Sequence, residues 1–377
     1  MGLSHVVIVY ETEAAARARL MRYGYSAELA TEIAVYLGQA TDLPDFFDDI
    51  TNALKAEGLT AHFVELDALV SRLPEFMEIA ESTIIWTITD GIRFYRGSSV
   101  AALSRLSGFA RYGSPATAQH LCQDKFASLS LAQSAAIPIA PTRLIEGRTE
   151  IASLGDWTNQ PGPYFVKPNT LGAKIGIFGD SRCATVDEAL DLTERLWHRY
   201  HDRALIQPFI AGDDVRVSFM DMGDDFCAQL GIEQLAKDPN SETGGDFMTM
   251  KDNETLSGAR DTHGAKGGFG QTREAAFVPK MINLRQQKDA RSRTAVERIE
   301  VISERLRRLL GLRDYFSVDV RIDQQGHPTF FEFEICPGVT IYDFQNYLKT
   351  THGLSLGGAL ARSLKLAFEG RMNRGES

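Results

Sequence analysis

The first part of the chain alternates short apolar runs with stretches that have helical spacing. The segment HVVIVY at 5–10 is β-branched and continuous, which is typical of a buried parallel strand. Further strands are predicted at 61–67 and 82–91, and helices are predicted at 13–23, 26–38 and 45–56. Strands and helices in alternation predict an α/β layer with right-handed connections.

Near the C-terminus, the segment 315–344 alternates apolar and polar residues with a period of two. Apolar and polar residues alternate over 316–322, DQQGHP supplies turn chemistry, and the alternation resumes over 329–335. This pattern predicts a β-hairpin. Its second strand would place two sets of side chains on opposite faces, namely Glu332, Glu334 and Cys336 against Phe331, Phe333 and Ile335.

The predicted hairpin brings Asp319 beside Glu332 and Glu334 on one face. Carboxylates that share a partly buried site repel one another, and a hard divalent cation removes that cost. The alternative is the polar, solvent-facing side of an edge hairpin, where Asp and Glu are common. The residues of this segment alone leave the two interpretations open.

A glycine-rich loop follows a predicted strand in the segment 162–181, GPYFVKPNTLGAKIGIFGDS. The strand ends in Lys167, and the loop contains Gly172, Lys174 and Gly176. Glycines allow the backbone to come close to phosphate oxygens, with its N–H groups pointing at them. The loop therefore predicts a phosphate site, although the pattern alone is not specific.

Upstream of this loop, the segment 109–142 contains its own turn and helix signals. It predicts a turn at 113–115, a helix from Ala116 and a second helix from Lys125. Taken alone, a lysine at a helix start is more typical of a solvated side chain.

The length, composition, net charge and cysteine count limit the classes of protein to which the chain can belong. With 377 residues, of which 44% are hydrophobic, the chain can bury a large core, and its length predicts two or three domains. A net charge of −10 argues against nucleic acid as a partner. The four cysteines are scattered without a CxxC pair, which fits a reducing cytoplasm rather than a disulfide framework or a zinc site. No stretch approaches the ~20 apolar residues of a membrane span, so we expect a cytoplasmic protein.

The order of residues in the hairpin gives the chain a family likeness. The spacing from Asp319 through Glu332-Phe-Glu334 to a Pro-Gly pair resembles the metal-binding end of the ATP-grasp superfamily. The strongest likeness is to the D-alanine–D-alanine ligase branch, in which the pattern ends in Glu-x-Asn-x-x-Pro-Gly. The segments 109–142 and 162–181 resemble the nucleotide-binding parts of the same family, in the same order.

This resemblance implies an ATP-grasp fold of the α/β (α+β) class with three domains. Residues 1–112 would form an N-terminal α/β domain, 113–211 a central subdomain with the glycine-rich loop, and 212–377 a C-terminal subdomain. The last would carry a lid loop at 236–275 and the metal hairpin at 316–336. The nucleotide would lie between the central and C-terminal subdomains.

The resemblance also implies residues for the metal and the phosphates of ATP. Asp319 and Glu332 would hold one Mg²⁺, and Glu332 and Glu334 a second, with Mn²⁺ as an alternative ion. The phosphate contacts would come from Lys125, Lys167, Gly172, Lys174 and Gly176. A compact charge on a flexible stem suits lysine to this role.

The rest of the nucleotide would be read by the strand that follows helix 184–203. Gln207 would accept a hydrogen bond from the adenine amino group, and the backbone of Ile210 would bind the ring edge. Phe209 would pack on adenine, although ordinary core packing gives the same pattern. Asp214 would bind the ribose hydroxyls, and Lys251 in the lid would add a phosphate contact.

Two positions depart from the D-alanine–D-alanine ligase pattern. The family's Arg two residues before the first metal Asp, which stabilises the oxyanion, is replaced by Ser317, and Arg321 or a lid arginine could substitute for it. The family's Ser that holds the carboxylate of the second substrate corresponds to Asp343, which would repel a carboxylate. Glu11 or Glu13 could contact the amino group of the first substrate, but charges at a helix start are the preferred interpretation.

The implied reaction joins a small carboxylic acid, expected to be an amino acid, to an amine through an acyl phosphate made from ATP. Asp343 favours an amine, a decarboxylated amino acid or ammonia as the nucleophile, hence a specialised ligase. The alternatives are D-alanine–D-alanine ligase itself and, from another class, a non-catalytic nucleotide-binding regulatory protein. We expect no nucleic-acid or membrane partner, and a homodimer is the usual state of the family.

Overall fold

A computed structural model describes residues 2–41, 47–89, 97–236, 243, 245–250, 281–338 and 342–374. Within these residues, β-sheets follow one another along the chain, over 5–112, 142–208 and 213–334. The mixture of helices and sheets confirms the predicted α/β class. The predicted domain limits at 112 and 211 fall between the sheets and stay predictions.

The N-terminal sheet is parallel, with the strand order β2-β1-β3-β4. Its strands are β1 (His5–Tyr10), β2 (Thr60–Glu65), β3 (Thr83–Thr87) and β4 (Ala110–Tyr112). Its helices are α1 (Glu13–Arg22), α2 (Ala27–Thr41), α3 (Phe47–Ala56), α4 (Leu69–Met77) and α5 (Gly97–Leu106). Alternate β1 side chains enter two different core clusters, one with Val6 and the other with Val7, so both faces are covered. This is why the strand reads as one unbroken apolar run.

The central sheet is antiparallel, with the order β6-β5-β9-β7-β8. Its strands are β5 (Thr142–Glu146), β6 (Thr149–Leu154), β7 (Tyr164–Pro168), β8 (Arg182–Cys183) and β9 (Ala204–Pro208). Its helices are α6 (Ala116–Leu121), α7 (Lys125–Ser134) and α8 (Val186–Tyr200). Helix α8 starts where the Thr185 hydroxyl accepts the Glu188 N–H at 3.2 Å, and it ends at left-handed His201.

The C-terminal sheet is also antiparallel, with the order β12-β11-β10-β13-β14. Its strands are β10 (Asp213–Met220), β11 (Gly231–Leu235), β12 (Met281–Asn283), β13 (Tyr315–Ile322) and β14 (Pro328–Glu334). The short helix α9 (Phe226–Gln229) and the long helix α10 (Ala290–Leu310) accompany it. One face of α10, which includes Ile299 and Leu306, is buried in the same core cluster as Val318 of β13.

The last helices return to the N-terminal sheet. Helix α11 (Tyr342–Tyr347) leads to α12 (Leu356–Arg374), and the Tyr112 hydroxyl of β4 donates to the Ser363 hydroxyl of α12 at 2.7 Å. Short 3-10 turns lie at Leu66–Ala68, Ala80–Ser82, Gly179–Ser181 and Leu284–Gln286, and a π-helical turn at Leu348–His352. Among the helices just described, none combines the length and apolar composition needed to span a bilayer.

The C-terminal hairpin forms as predicted, and its turn is fixed locally. The Asp323 carboxylate accepts the N–H groups of Gln325 and His327, each at 2.8 Å. Gly326 has a φ of 81°, and a Cβ there would lie 2.3 Å from the Arg291 carbonyl oxygen. The turn therefore requires glycine at this position.

A β-bulge in this hairpin corrects the predicted alternation. The register shifts so that Asp319 lies opposite Glu332 whereas Val320 lies opposite Phe330. Phe331 is the extra residue, and it lines the cavity described below instead of sharing a face with buried Phe333.

The position of Cys336 also differs from the prediction. Strand β14 ends at Glu334, so the alternation no longer holds at Cys336. Its thiol is buried in the core and donates to the Thr87 carbonyl oxygen at 3.0 Å. Cys336 therefore packs as a small apolar side chain, away from the glutamates.

The backbone at Gly212, just before β10, lies close to the backbone of the hairpin at Ile322, and this close approach leads to a stability prediction. A Cβ on Gly212 would lie 2.0 Å from the Ile322 carbonyl oxygen. We expect Gly212→Ala to lower the free energy of unfolding by about 1–3 kcal/mol, because the backbone must move apart. Gly370→Ala is the matched control, since nothing lies within 4 Å of that Cβ and alanine favours a helix by about 0.5–1 kcal/mol. Equal urea-unfolding midpoints for the two variants would contradict the packing.

Candidate active site

A cavity of about 340 Å³ lies between the central and C-terminal sheets. Strands β7 and β9 and the loop after β7 form one wall, and strands β10, β13 and β14 form the other. Its volume is in the range of small-molecule sites. The predicted residues that line it are Lys125, Lys167, Gly172, Lys174, Gln207, Phe209, Ile210, Asp214, Asp319, Arg321, Glu332 and Glu334.

Lys125 reaches the cavity because the start of α7 is joined to the end of β7. The Asp124 carboxylate caps the helix by accepting the Ala127 N–H at 2.9 Å. Asn169, just after β7, accepts the Phe126 N–H at 2.9 Å and donates to Asp124 at 3.1 Å. These bonds fix the first turn of α7, which carries Lys125, beside β7, which carries Lys167.

Two ammonium groups and a carboxylate meet at this end of the cavity. Lys125 is only 6% exposed; it donates to the Leu171 carbonyl oxygen at 2.8 Å and lies 3.2 Å from the Glu332 carboxylate. Lys167 is 5% exposed, and its ammonium sits 4.8 Å from the centre of the Phe331 ring. Lys125 is therefore buried, and the alternative of a solvated helix-start lysine does not hold.

The pKa values at this end follow from burial and charge. Burial lowers the pKa of Lys167 to about 8, with Glu332 opposing the shift and Lys125 adding to it. Burial alone would raise the pKa of Glu332, but Lys125 and Lys167 outweigh it and hold that pKa at about 2. At neutral pH Glu332 is thus ionised between two ammonium groups.

The loop after β7 has the backbone geometry that its glycines predict. Gly176 has a φ of 77°, and a Cβ there would lie 2.5 Å from Pro168 Cγ. Ala173 and Lys174 also have positive φ values, 51° and 62°, which costs energy for residues with a Cβ. Gly176 shapes the loop without lining the cavity, whereas Gly172 and Lys174 line it.

The opposite end of the cavity is polar and aromatic. The Gln207 amide nitrogen donates to the Thr142 hydroxyl at 2.8 Å, which fixes a side chain that is 2% exposed. Phe209 lies near the rings of Phe165 and Phe247, with centroids 6.2 and 6.1 Å away. These groups form a mostly apolar slot of mutually inclined rings with one amide beside it.

Arg321 belongs to this aromatic end. Its guanidinium donates to Asp214 at 2.7 Å, to the Ile210 carbonyl oxygen at 2.6 Å and to the Asp246 carbonyl oxygen at 2.5 Å. It also lies 5.2 Å from the centre of the Phe209 ring. These contacts commit Arg321 to the slot, so its predicted role at the reacting oxyanion gains no support from the geometry.

The predicted metal carboxylates face the cavity, and an arginine lies among them. Arg216 of β10 donates to both oxygens of Asp319, at 2.9 and 2.8 Å, and its third nitrogen lies 3.5 Å from Glu334. The Ser317 hydroxyl donates to Glu334 at 3.4 Å. Ser317 does not line the cavity itself. The edge-hairpin alternative is half right, because β14 is an edge strand, but its glutamates are partly buried in the site.

Magnesium fits the chemistry of this donor set, since carboxylate oxygens from adjacent strands face one space. Across the part of the chain that the structure describes, however, no three His, Cys, Asp or Glu side chains already form an ion-sized cluster. Arg216 occupies both oxygens of Asp319. The expectation of two ions therefore stays a prediction.

Other predicted residues contribute less to the site as described. Lys251 lies outside the described residues, and Asp343 lies in the first turn of α11. Glu11 is 4% exposed, and both of its oxygens accept from Arg19, at 3.0 and 2.7 Å. Glu11 is thus engaged within the N-terminal layer, and Glu13 begins α1, as the helix-start interpretation expects.

Comparison with known proteins agrees with this geometry. No protein-family model matches the chain. It is 24% identical to D-alanine–D-alanine ligase A of Bradyrhizobium diazoefficiens, over 73% of this chain and 67% of that one. It is 26% identical to D-alanine–D-alanine ligase of Citrifermentans bemidjiense, over 73% and 76%. The structure of D-alanine–D-alanine ligase from Bacillus anthracis complexed with ATP superposes with a TM-score of 0.63, at 13% identity, over 99% of this chain and 100% of that one.

The chain has the ATP-grasp fold and is similar in sequence to D-alanine–D-alanine ligases. The cavity lies between the central and the C-terminal sheet. The buried lysines and the carboxylates stand at one end of it, and the aromatic slot stands at the other.

Sequence reasoning missed several residues of the site. Arg216 was within reach, because it lies two positions after Asp214 and so shares its face of β10. Arg182 was not, since its guanidinium lies 4.6 Å from the Phe209 ring and bonds Asp246 at 2.5 Å across long sequence separations. Phe247 likewise reaches the slot from the first part of the predicted lid, 236–275.

The pairing of Glu332 with buried lysines predicts a pH-dependent stability. We expect Glu332→Gln to destabilise the fold by about 1–3 kcal/mol at pH 7, because it leaves two buried ammonium groups without their carboxylate; this is less than for a fully buried pair because the Glu332 side chain is 33% exposed. Since the pKa falls from 4.5 to about 2 on folding, the pair stabilises the fold above pH 4.5 and loses this effect toward pH 2.

Unfolding of both proteins by urea at several pH values measures this difference. Glu146→Gln is the matched control, since Glu146 pairs with Arg203 at the surface and should contribute about 0–1 kcal/mol. A cost for Glu332→Gln that stays constant from pH 7 to pH 3 would contradict the assigned pairing.

Proposed function

We propose that this ATP-grasp enzyme is an ATP-dependent carboxylate–amine ligase that forms an amide, ADP and phosphate. The observation that carries the proposal is the polarity of the cavity. The buried lysines at one end suit the phosphates, and the slot of aromatic rings with one amide suits a purine. The relatives named above support the same reading.

The nucleotide would lie along the cavity with its base in the slot. Gln207 and the Ile210 N–H would bind the adenine edge, Phe209 would pack on the ring, and Asp214 would accept from the ribose hydroxyls. Asp214 is held for this role by Arg321. Lys125 and Lys167 would then neutralise the phosphates, with Lys174 and the backbone at Gly172 closing over them.

The chemistry needs charge neutralisation and alignment, and no protein nucleophile. A carboxylate oxygen of the first substrate attacks the γ-phosphorus, the bond to the ADP oxygen breaks, and an acyl phosphate results. The amine nitrogen then attacks the acyl carbon, phosphate leaves, and the nitrogen loses a proton. Bound divalent ions would screen the phosphate charges, held by Asp319, Glu332 and Glu334.

Two classes of nucleophile remain, and different observations favour them. The relatives named above are D-alanine–D-alanine ligases, which favours a second D-amino acid. Ser317 in place of the family's Arg and Asp343 in place of its Ser favour an amine without a free carboxylate. The carboxylate-free amine is our first candidate, and the D-amino acid is the alternative.

ADP release tests the proposal directly. We expect Mg·ATP turnover that requires both an acid and an amine, assayed over amino acids, simple amines and ammonia, singly and in pairs. Asp319→Asn should reduce kcat at least tenfold, since it removes a charge from the cluster. Turnover with D-alanine alone selects the alternative, and ATP binding without turnover on any pair would overturn the ligase.

The pKa of Lys167 predicts how nucleotide affinity depends on pH. In the free protein Lys167 loses its proton above about pH 8, whereas bound phosphates should raise that pKa. ADP binding should therefore take up a proton near pH 8.5, and affinity should fall by up to about tenfold per pH unit above 8. Phosphate groups, whose second pKa is about 6, are fully ionised in this range.

Calorimetric titration of ADP in two buffers of different ionisation enthalpy measures this proton uptake. Lys167→Met is the control, in which both the uptake and the pH dependence should disappear. Equal proton uptake by the two proteins would exclude Lys167 as the phosphate ligand.

A further inference from the structure

Arg216 places a positive charge beside the carboxylates of Asp319 and Glu334, at a position where the family pattern described above has no arginine. Side chains directly opposite each other in an antiparallel sheet share a face. Residue pairing across the C-terminal sheet therefore sets Glu233, Arg216, Asp319 and Glu332 in one row, on strands β11, β10, β13 and β14. The arginine lies between acidic residues on both sides.

The contacts of Arg216 are those of a strong fork. Two parallel N–H groups bind both oxygens of Asp319, and a third nitrogen reaches toward Glu334 at 3.5 Å. The side chains are partly buried, with 20% of Arg216 and 24% of Asp319 exposed. Bidentate guanidinium–carboxylate pairs of this kind are stronger than single hydrogen bonds.

The contacts of Arg216 also affect how Asp319 and Glu334 can bind a metal ion. A divalent ion needs the oxygen lone pairs of these carboxylates. Guanidinium N–H groups already bind both oxygens of Asp319, and the third guanidinium nitrogen lies 3.5 Å from Glu334. Arg216 and an ion thus compete for Asp319 and Glu334. If neither cation were present, like charges would lie side by side in a half-buried site, which is unfavourable.

We propose that Arg216 holds Asp319 and Glu334 in place of the divalent ion while the nucleotide is absent, and releases them to the ion when phosphate oxygens offer it a new partner. Arg216 is a positioning residue in this scheme, and it couples ion binding to nucleotide binding. It also supplies a guanidinium one strand away from Ser317, where the family places its arginine. The inference rests on the proposed function, because it assumes that phosphates enter this cavity.

Mn²⁺ binding tests the proposal without any turnover. Electron paramagnetic resonance gives the Mn²⁺ affinity of the wild-type chain, of Arg216→Gln and of Arg216→Lys, each with and without ADP. Without ADP, we expect Arg216→Gln to bind Mn²⁺ at least tenfold more tightly than wild type, since the competing fork is gone. Arg216→Lys should fall between them, because an ammonium neutralises the carboxylates without the two parallel bonds.

The effect of ADP separates this scheme from a merely structural role. ADP should raise the Mn²⁺ affinity of the wild-type chain at least tenfold more than that of Arg216→Gln, because the variant has no guanidinium to move onto the phosphates. Arg291→Gln is the matched control. Arg291 also pairs with an aspartate of β10, Asp213 at 2.6 Å, but lies outside the cavity lining, so its loss should leave Mn²⁺ affinity unchanged.

Each outcome has one meaning when the variants keep the wild-type circular dichroism spectrum. Equal or weaker Mn²⁺ binding by Arg216→Gln overturns the inference and leaves the proposed function standing. If Arg216→Gln does not fold, Arg216→Lys decides by the same comparison with wild type. Absence of Mn²⁺ binding in every protein, with and without ADP, overturns both the inference and the ion site of the proposed function.

Discussion

The charge balance on the cavity wall is the constraint on which the other features depend. Lys125 and Lys167 are almost fully buried, and two ammonium groups at this depth are tolerable only beside a carboxylate. Glu332 provides it, and Asp319 and Glu334 are in turn neutralised by Arg216. Because these groups come from α7, β7, β10, β13 and β14, the central and C-terminal sheets must meet correctly for any of them to be satisfied.

Several irregular features of the backbone serve this balance. The bulge opposite Asp319 turns Phe331 into the cavity, where its ring lies against the Lys167 ammonium. Asn169 joins the start of α7 to the end of β7 and so brings the lysines together. The left-handed turn at Ala173 and Lys174 carries the loop over them. The site thus includes strained backbone at these two positions, as is common at functional loops.

The two halves of the site relate differently to the ligase family. Around the nucleotide, the family-like residues converge on one cavity, which agrees with the similarity to known ligases. Around the substrates they diverge. Arg321 is engaged at the slot, and Glu11 is bound to buried Arg19. The proposed nucleotide site is therefore family-like, whereas the positions proposed for the acid and the amine differ from the family pattern.

The sequence by itself determined the fold class, many of the helices and strands, and a set of residues that meet in one cavity. Apolar periodicity, helix caps and turn residues are local signals, so the parallel N-terminal strands, the start of α8 and the Asp323 turn could be predicted from a few neighbouring residues each. Tertiary structure alone decided the bulge at Phe331, the burial of Cys336 and the partners of Arg321 and Arg216. Those outcomes depend on strand register and on charges brought together over a hundred or more residues, and the periodicity of one segment carries no information about them.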